Sequence, residues 1–398
     1  MLPKFLTKSY PLNKHLFLIP RFALSLIGYY PESERTTKVQ LWSFFNIAIL
    51  GYGCYAEFYY GIHYLSIDIP SALDALCPVA SSIMSFIKIF FIWWYREEYK
   101  FLIEKVRYLT DQQNSSGKVQ MKKKYFTSAT RLNALVLFFG FCTSTSYTLR
   151  PIVTNTFLYL KGQPIIYETP FKMMFPESLL SMPIYPITYI LVHWHGYITV
   201  LAFVGADGFF LGFCFYFSTL LKAIQQDLQS ILTDIGNKNN SRYESEDKVC
   251  LALEDIIERH NEVAELTDKF SLIMVEITLC HFITSSIIIA TSVVDLLLFS
   301  GYGVIVYIVY TCAVLTEIFL YCLGGNTVME SSEDLATKAY SSEWYTHSVK
   351  IQKMILLIMV RSQRAIIIKV PFFAPSLPAL TAILRFTGSV IALAKSVI

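Results

Sequence analysis

His193-Trp194-His195 is the first place in this 398-residue chain where neighbouring side chains could hold a metal ion. The spacing argues against it: at i and i+2 on a helix, two imidazoles point to different sides and cannot share an ion. They are expected to line a cavity or touch another helix. Gly205-Ala206-Asp207-Gly208 has the residues of a phosphate-cradling turn but sits inside an apolar run, where a helix kink is the better expectation. The eight cysteines, at 54, 77, 142, 214, 250, 280, 312 and 322, lie almost all in apolar stretches. Their spacing fits neither a zinc site nor a secreted disulfide framework, so they read as small core residues. No enzyme motif is present, and no metal or cofactor is expected. What remains is a set of ionisable residues within or at the ends of apolar runs: Glu57, Asp74, Lys88, Arg150, Asp207, Glu276, His281, Asp295, Glu317 and Arg385. Charge in lipid is costly, so such residues usually face a cavity, a partner helix or a water path. Arg150 and Asp295 are expected at the membrane interface, where water solvates them.

The elements that must position these groups follow from composition. The chain is 54% hydrophobic and only 16% charged, with 30 Phe and 26 Tyr. Soluble domains carry more charge, so the sequence implies a polytopic membrane protein. A basic tract with interleaved aromatics is missing, which excludes nucleic acid as a partner. The segment 16–30, broken by Pro20-Arg21 and lacking a small-residue cleavage site, suits an amphipathic helix at the membrane surface better than a signal peptide. A span needs about 20 apolar residues. Seven segments qualify: 40–61, 69–94, 132–154, 184–214, 271–299, 302–323 and 376–396. The connections alternate in basic residues, with 27 Lys and Arg on one side and two on the other. By the positive-inside rule the N-terminus is cytoplasmic and the C-terminus extracellular. The sequons at Asn114 and Asn239 fall in cytoplasmic loops and are expected to carry no glycan.

The expected fold is therefore an all-α membrane protein with seven transmembrane helices, inverted relative to a G-protein-coupled receptor. Its cytoplasmic segments read as helical. In 249–270, Leu253, Ile256, His260, Val263, Thr267 and Phe270 recur at steps of 3 and 4, an amphipathic stripe. Residues 349–369 are too basic for a span and form the natural packing partner as a helix. Only 237–247 reads as a flexible loop. The sequence divides into an N-terminal segment with its interfacial helix (1–39), a six-helix bundle with its loops (40–323), a cytoplasmic anchor segment (324–375) and a last spanning helix (376–398).

The run YCLGGNTVMESSEDLATKAYSSEWY (321–345), followed by IQKMILLIMVRSQRAIIIK and SLPALTAILRFTGSVIALAK, resembles the insect odorant receptor family. Weaker echoes are IGYYP (27–31) and IIERHNEVAELTDKF (256–270). The resemblance implies a cation channel subunit, assembled as a tetramer through cytoplasmic helices from extensions of spans four to six and the first part of the seventh helix. It implies that Tyr340, Trp344, Tyr345 and Arg361 belong to that anchor or its subunit contacts. It also implies a pore lined by the last helix, with Leu393 as a hydrophobic gate and Ser389 and Ser396 on the pore side. Arg385 and Lys395 put positive charge on that helix, which fits if other subunits supply most of the conduction path.

By the same resemblance a small volatile odorant binds within each subunit, in the outer half. The positions at that depth are Ala80, Ile83, Met84, Cys142, Ser146, Tyr147, Tyr189, His193, Tyr307 and Tyr310. The family contains a shared co-receptor and many tuning subunits. The 55 residues at 215–269 lack the co-receptor's large insert, so the chain resembles a tuning subunit. Its expected partners are the odorant co-receptor, in a heterotetrameric channel, the odorant and the lipid bilayer. Its expected place is the plasma membrane, at the dendrite of olfactory sensory neurons. A gustatory-type receptor shares this fold, but its Thr-Tyr…Gln-Phe signature is missing. A G-protein-coupled receptor would need Asp-Arg-Tyr after the third span and Asn-Pro-x-x-Tyr in the seventh, and neither occurs. A transporter would leave an internal repeat, and none is visible.

Overall fold

The structure is a computed structural model and describes residues 17–112, 116–236, 242–298 and 301–397. It is all-helical: α1 (Leu18–Ile27), α2 (Thr37–Tyr64), α3 (Ile69–Trp94), α4 (Arg96–Gln112), α5 (Ser116–Leu160), α6 (Tyr185–Gly236), α7 (Arg242–Leu298), α8 (Tyr302–Tyr340), α9 (Val349–Ser362) and α10 (Leu377–Val397). Among the described residues the only β-type pairing is an isolated bridge between Val370 and Phe373. Each of the seven apolar segments lies on a helix to within a residue at its ends. Five helices, α3, α5, α6, α7 and α8, are long and apolar enough to cross a membrane. The asparagines of both sequons, Asn114 and Asn239, fall outside the described residues.

The most deeply buried of the five is α6. Its 52 residues span about 78 Å at 1.5 Å per residue, well beyond a hydrocarbon core. The helix runs unbroken through Gly205-Ala206-Asp207-Gly208, so the expected kink is absent. The glycines instead form a notched stripe that receives α1. A side chain at Gly208 would meet Pro20 at 2.6 Å, one at Gly212 would meet Phe17 at 2.7 Å, and one at Gly205 would collide with Leu24. Small residues let backbones approach closely where lipid supplies no hydrophobic drive between helices. The N-terminal helix is thus seated in α6, with Ala23, Leu24 and Ile27 fully buried and Phe22 and Leu26 facing outward. Gly28 ends α1 at φ 84°, a left-handed cap that suits glycine. Asn46 ties α1, α2 and α6 together: its Nδ2 donates to Ile27 O (3.3 Å) and its Oδ1 accepts from Trp194 Nε1 (2.9 Å).

One end of the bundle is a helical assembly built from α4, the tails of α6 and α8, the head of α7, and α9. The stripe Leu253, Ile256, His260, Val263, Thr267 and Phe270 is buried throughout. Ion pairs lace its rim, including Lys105–Glu262 (2.6 Å), Arg259–Asp227 (2.7 Å) and Lys369–Asp268 (2.7 Å). The expected helix 349–369 stops at Ser362, and 365–369 have no regular secondary structure. The cause is local: Ile366-Ile367-Ile368 are β-branched, and Val370 precedes Pro371, which disfavours helical backbone. The other end is covered by the connection 161–184. There Met174 N donates to Ala56 O (3.0 Å), and Tyr185 OH donates to Glu168 O (2.7 Å).

Candidate ligand-binding site

A cavity of about 70 Å³ lies between α3, α5, α6 and α8, toward the end covered by the 161–184 connection. Its walls are aromatic and aliphatic. Tyr147 on α5 stacks on Phe171 of the connection, with ring centroids 4.9 Å apart, and meets Tyr310 of α8 edge-on at 6.2 Å. Phe171 reaches this position because α6 carries Gly196 there; a Cβ would meet the ring at 2.7 Å. The polar groups on the wall are few and mostly paired. Ser81 and Tyr310 share a hydrogen bond of 2.6 Å. Ser82 Oγ donates to Glu57 (3.1 Å) and lies 3.1 Å from His195 Nε2. Two hydroxyls, Tyr147 OH and Ser144 Oγ, are buried without a partner. Orphaned polar atoms on an otherwise apolar cavity are the features that would orient a small ligand.

The floor is ionic. Glu317 and Phe203 line it. Beneath them Lys88 Nζ lies 3.5 Å from the Phe203 ring centroid, 2.6 Å from Asp207 Oδ1 and 3.3 Å from His281 Nδ1. Tyr321 OH donates to the same Asp207 oxygen (2.8 Å) and stacks on His281 at 4.4 Å. Ligand atoms of Asp207, His281 and Glu317 lie within 4.8 Å of one another, a spacing that could hold a metal ion. Lys88 already supplies the cation to this group. Below it Phe282, edge-on to Tyr321, packs at 4.6 Å on Phe373, in the linker before α10. Gly325 lets Pro375 of that linker approach the backbone of α8. At the opposite end Asp74 pairs with Arg150 (2.8 Å) and accepts from Tyr307. Asp295 is fully buried and without a partner. The solvated interfacial placement expected for Arg150 and Asp295 is therefore corrected, because α3, α5, α7 and α8 close over that end.

Of the ten sequence-based ligand positions, Tyr147 and Tyr310 line the cavity. The others do not. Ile83 is 41% exposed on the outer face of α3, and Met84 is buried in the main core. Ala80, Cys142 and Ser146 sit beside lining residues but turn away from the cavity. His193 bonds Thr148 (2.8 Å), Tyr189 donates to Thr148 O, and Tyr307 serves Asp74. The imidazole on the wall is His195, two positions along. The lining residues that were missed include Ser81, Ser82, Ser144, Phe171, Phe203 and Glu317. Glu317 carried a signal, as a carboxylate inside an apolar run. Of the other expected positions, Tyr340 and Tyr345 are exposed, Trp344 is half-buried against the core, and Arg361 is exposed. Ser389 lies on an exposed face of α10, and the side chains of Leu393 and Ser396 lie outside the described residues.

A family model described as 7tm Odorant receptor matches residues 68–388. The chain belongs to the 7tm odorant receptor family. Odorant receptor 24a of Drosophila melanogaster is 62% identical over 399 residues, covering 100% of both chains. Odorant receptor 10a of the same fly is 34% identical over 405 residues, 99% of this receptor and 98% of that one. The odorant receptor coreceptor of Aedes aegypti is 30% identical over 155 residues, 37% of this receptor and 32% of its own length. Among solved structures, the olfactory receptor OR5 from Machilis hrabei in complex with eugenol superposes with a TM-score of 0.79, covering 97% of this receptor and 98% of that chain at 17% identity. That likeness is one of fold.

Proposed function

We propose that this receptor is a tuning subunit that binds a small volatile odorant in the four-helix cavity and gates a nonselective cation channel together with the odorant co-receptor. The observation that carries the reading is the largely apolar cavity between four helices with two unpartnered hydroxyls, Tyr147 OH and Ser144 Oγ. At about 70 Å³ it is roughly half the ~150 Å³ of an apolar cavity that takes benzene. An aromatic or aliphatic volatile must therefore widen it, and binding favours the widened arrangement. The packed succession from Glu317 through Lys88, Asp207, Tyr321 and Phe282 to Phe373 supports a link from cavity floor to last helix. In this reading α10 lines the pore, with Leu393 as gate and Ser389 and Ser396 beside it.

The receptor crosses the membrane seven times, with its N-terminus in the cytosol, as the lysine and arginine asymmetry supports. The helical end is then the cytoplasmic anchor. Leu356, Leu357 and Val360 on α9, with Tyr340 and Tyr345, leave an exposed apolar surface there that supports contact with other subunits of a heterotetramer. The divisions 1–39, 40–323, 324–375 and 376–398 then separate N-terminal helix, binding bundle, anchor and pore helix. Its site of action is the plasma membrane of olfactory neuron dendrites. The experiment is a filling substitution, Val314→Phe on the cavity wall. Loss of ligand-evoked current at unchanged surface level is expected. An unaltered response would contradict the assignment of this cavity.

A further inference from the structure

A second cavity, of about 420 Å³, lies between α2, the first turns of α6 and the connection that covers this end. Its lining is almost wholly apolar, with Tyr52, Phe175, Ile187 and Leu191 among its walls. The rim residues Tyr52 (51%), Ile187 (62%) and Leu191 (43%) are exposed on the outside of the bundle. In the seven-span arrangement proposed above, on which this inference rests, that outside is lipid, and the cavity opens sideways into the bilayer. It is several times roomier than the inner cavity, and the two share one residue, His195.

His195 Nε2 faces Ser82 Oγ at 3.1 Å and Glu57 Oε1 at 3.4 Å. Ser82 has a single proton and gives it to Glu57. The 3.1 Å contact between Ser82 Oγ and His195 Nε2 must then be donated by the imidazole. A neutral ring that carries its proton on Nε2 leaves Nδ1 as an acceptor. Nδ1 is buried and has no partner. It is turned toward Gly53, on the inner wall of the outer cavity, where a side chain of any kind would collide with the ring. Leaving a buried acceptor unsatisfied is unfavourable, and a ligand that donates to it removes that cost.

We propose that this outer cavity is a second ligand site, open to lipid, for a small lipophilic molecule bearing one hydroxyl, such as a volatile alcohol or phenol, whose O–H donates to His195 Nδ1 across the Gly53 notch. The hydrocarbon part fills the apolar walls, and the bilayer, which concentrates such molecules, supplies it. His195 separates this site from the inner cavity, so occupancy of the outer site bears on the wall of the inner one. The site stands on its own lining and does not require the inner cavity to bind anything.

The test uses the full-length receptor in lipid nanodiscs and a photoreactive diazirine derivative of benzyl alcohol, with crosslinks mapped by mass spectrometry. Saturable labelling within 45–53 and 184–192, competed by unlabelled benzyl alcohol, is expected. The methyl ether of the probe, which cannot donate, should label about fivefold less. Leu191→Trp and Ile187→Trp, both at the lipid-facing rim, should each remove this labelling and leave crosslinks in the inner cavity in place. Non-saturable labelling, equal labelling by alcohol and ether, or labelling indifferent to both tryptophans would overturn the proposal.

Discussion

Replacing Lys88 by Met keeps the apolar stem of the side chain and removes its charge. The ammonium is fully buried, 2.6 Å from Asp207, and shares its surroundings with Glu317 and His281. Breaking a buried ion pair by removing one partner costs about 3–5 kcal/mol, because the other charge is left without compensation. For 398 residues an unfolding entropy of about 2.1 cal/mol/K per residue sums to ~0.8 kcal/mol/K, so the melting temperature should fall by about 4–6 °C. The assay is a thermal melt of detergent-solubilised receptor followed by fluorescence-detected size exclusion. Adding Asp207→Asn removes the orphaned carboxylate while retaining an acceptor for Tyr321. The double variant should recover at least half of the loss, with Glu317 accounting for the remainder. A single variant that melts within about 1 °C of the parent, or a double variant no better than the single, would refute the argument that Lys88 serves as the resident cation.

Three further outcomes follow from the same geometry. Tyr147→Phe removes a hydroxyl with no partner, so the resting melt should not fall; potency should drop about fivefold for ligands with a carbonyl or hydroxyl and stay constant for hydrocarbons, as dose–response curves would show. Gly208→Val overfills the notch that receives Pro20, at a cost of about 1–3 kcal/mol, and should speed hydrogen exchange at the amides of α1; unchanged exchange would contradict the seating of α1 in α6. Glu32 is held below its ordinary pKa of 4.5: burial opposes ionisation, but hydrogen bonds from Arg107 (3.2 Å) and Tyr30 (2.7 Å) outweigh it. A depressed carboxyl stabilises the fold above the ordinary value and loses that contribution as pH falls through the lowered one, so Glu32→Gln should flatten the decline in melting temperature at acid pH.

The elements were legible in the sequence wherever one face differed from the others. The stripe from Leu253 to Phe270 has polar residues on its far side, so its period of 3 and 4 shows which face is buried. The cavity was harder for the opposite reason. Along 201–220 α6 is buried on nearly every side, and around 193 its outward residues, such as Ile190 and Leu191, are as apolar as its inward ones, so the sequence gives no phase. Depth therefore pointed to His193, and only packing distinguishes it from His195. The role of Gly205, Gly208 and Gly212 was equally hidden, because the side chains that fill their notches come from Phe17 to Leu24, far away in the chain. Asp295 was misplaced because its neighbours in sequence place it near a helix end, whereas α3, which meets α7 there through Cys77 and Thr291, lies more than 200 residues away in the chain. The early end of α9 was written in Ile366-Ile367-Ile368 and Pro371, but the basic-apolar pattern outweighed that signal.

The central claim is that this receptor confers ligand dependence on a cation channel, and whole-cell current tests it most directly. Cells would express the receptor with an insect odorant co-receptor, with co-receptor alone as control and surface expression confirmed, under a broad panel of volatiles. A fast nonselective cation current that depends on this receptor, and that Val314→Phe abolishes, is the predicted result. A volatile-evoked current of the same size without the receptor, or one that persists unchanged with the cavity filled, would contradict the account.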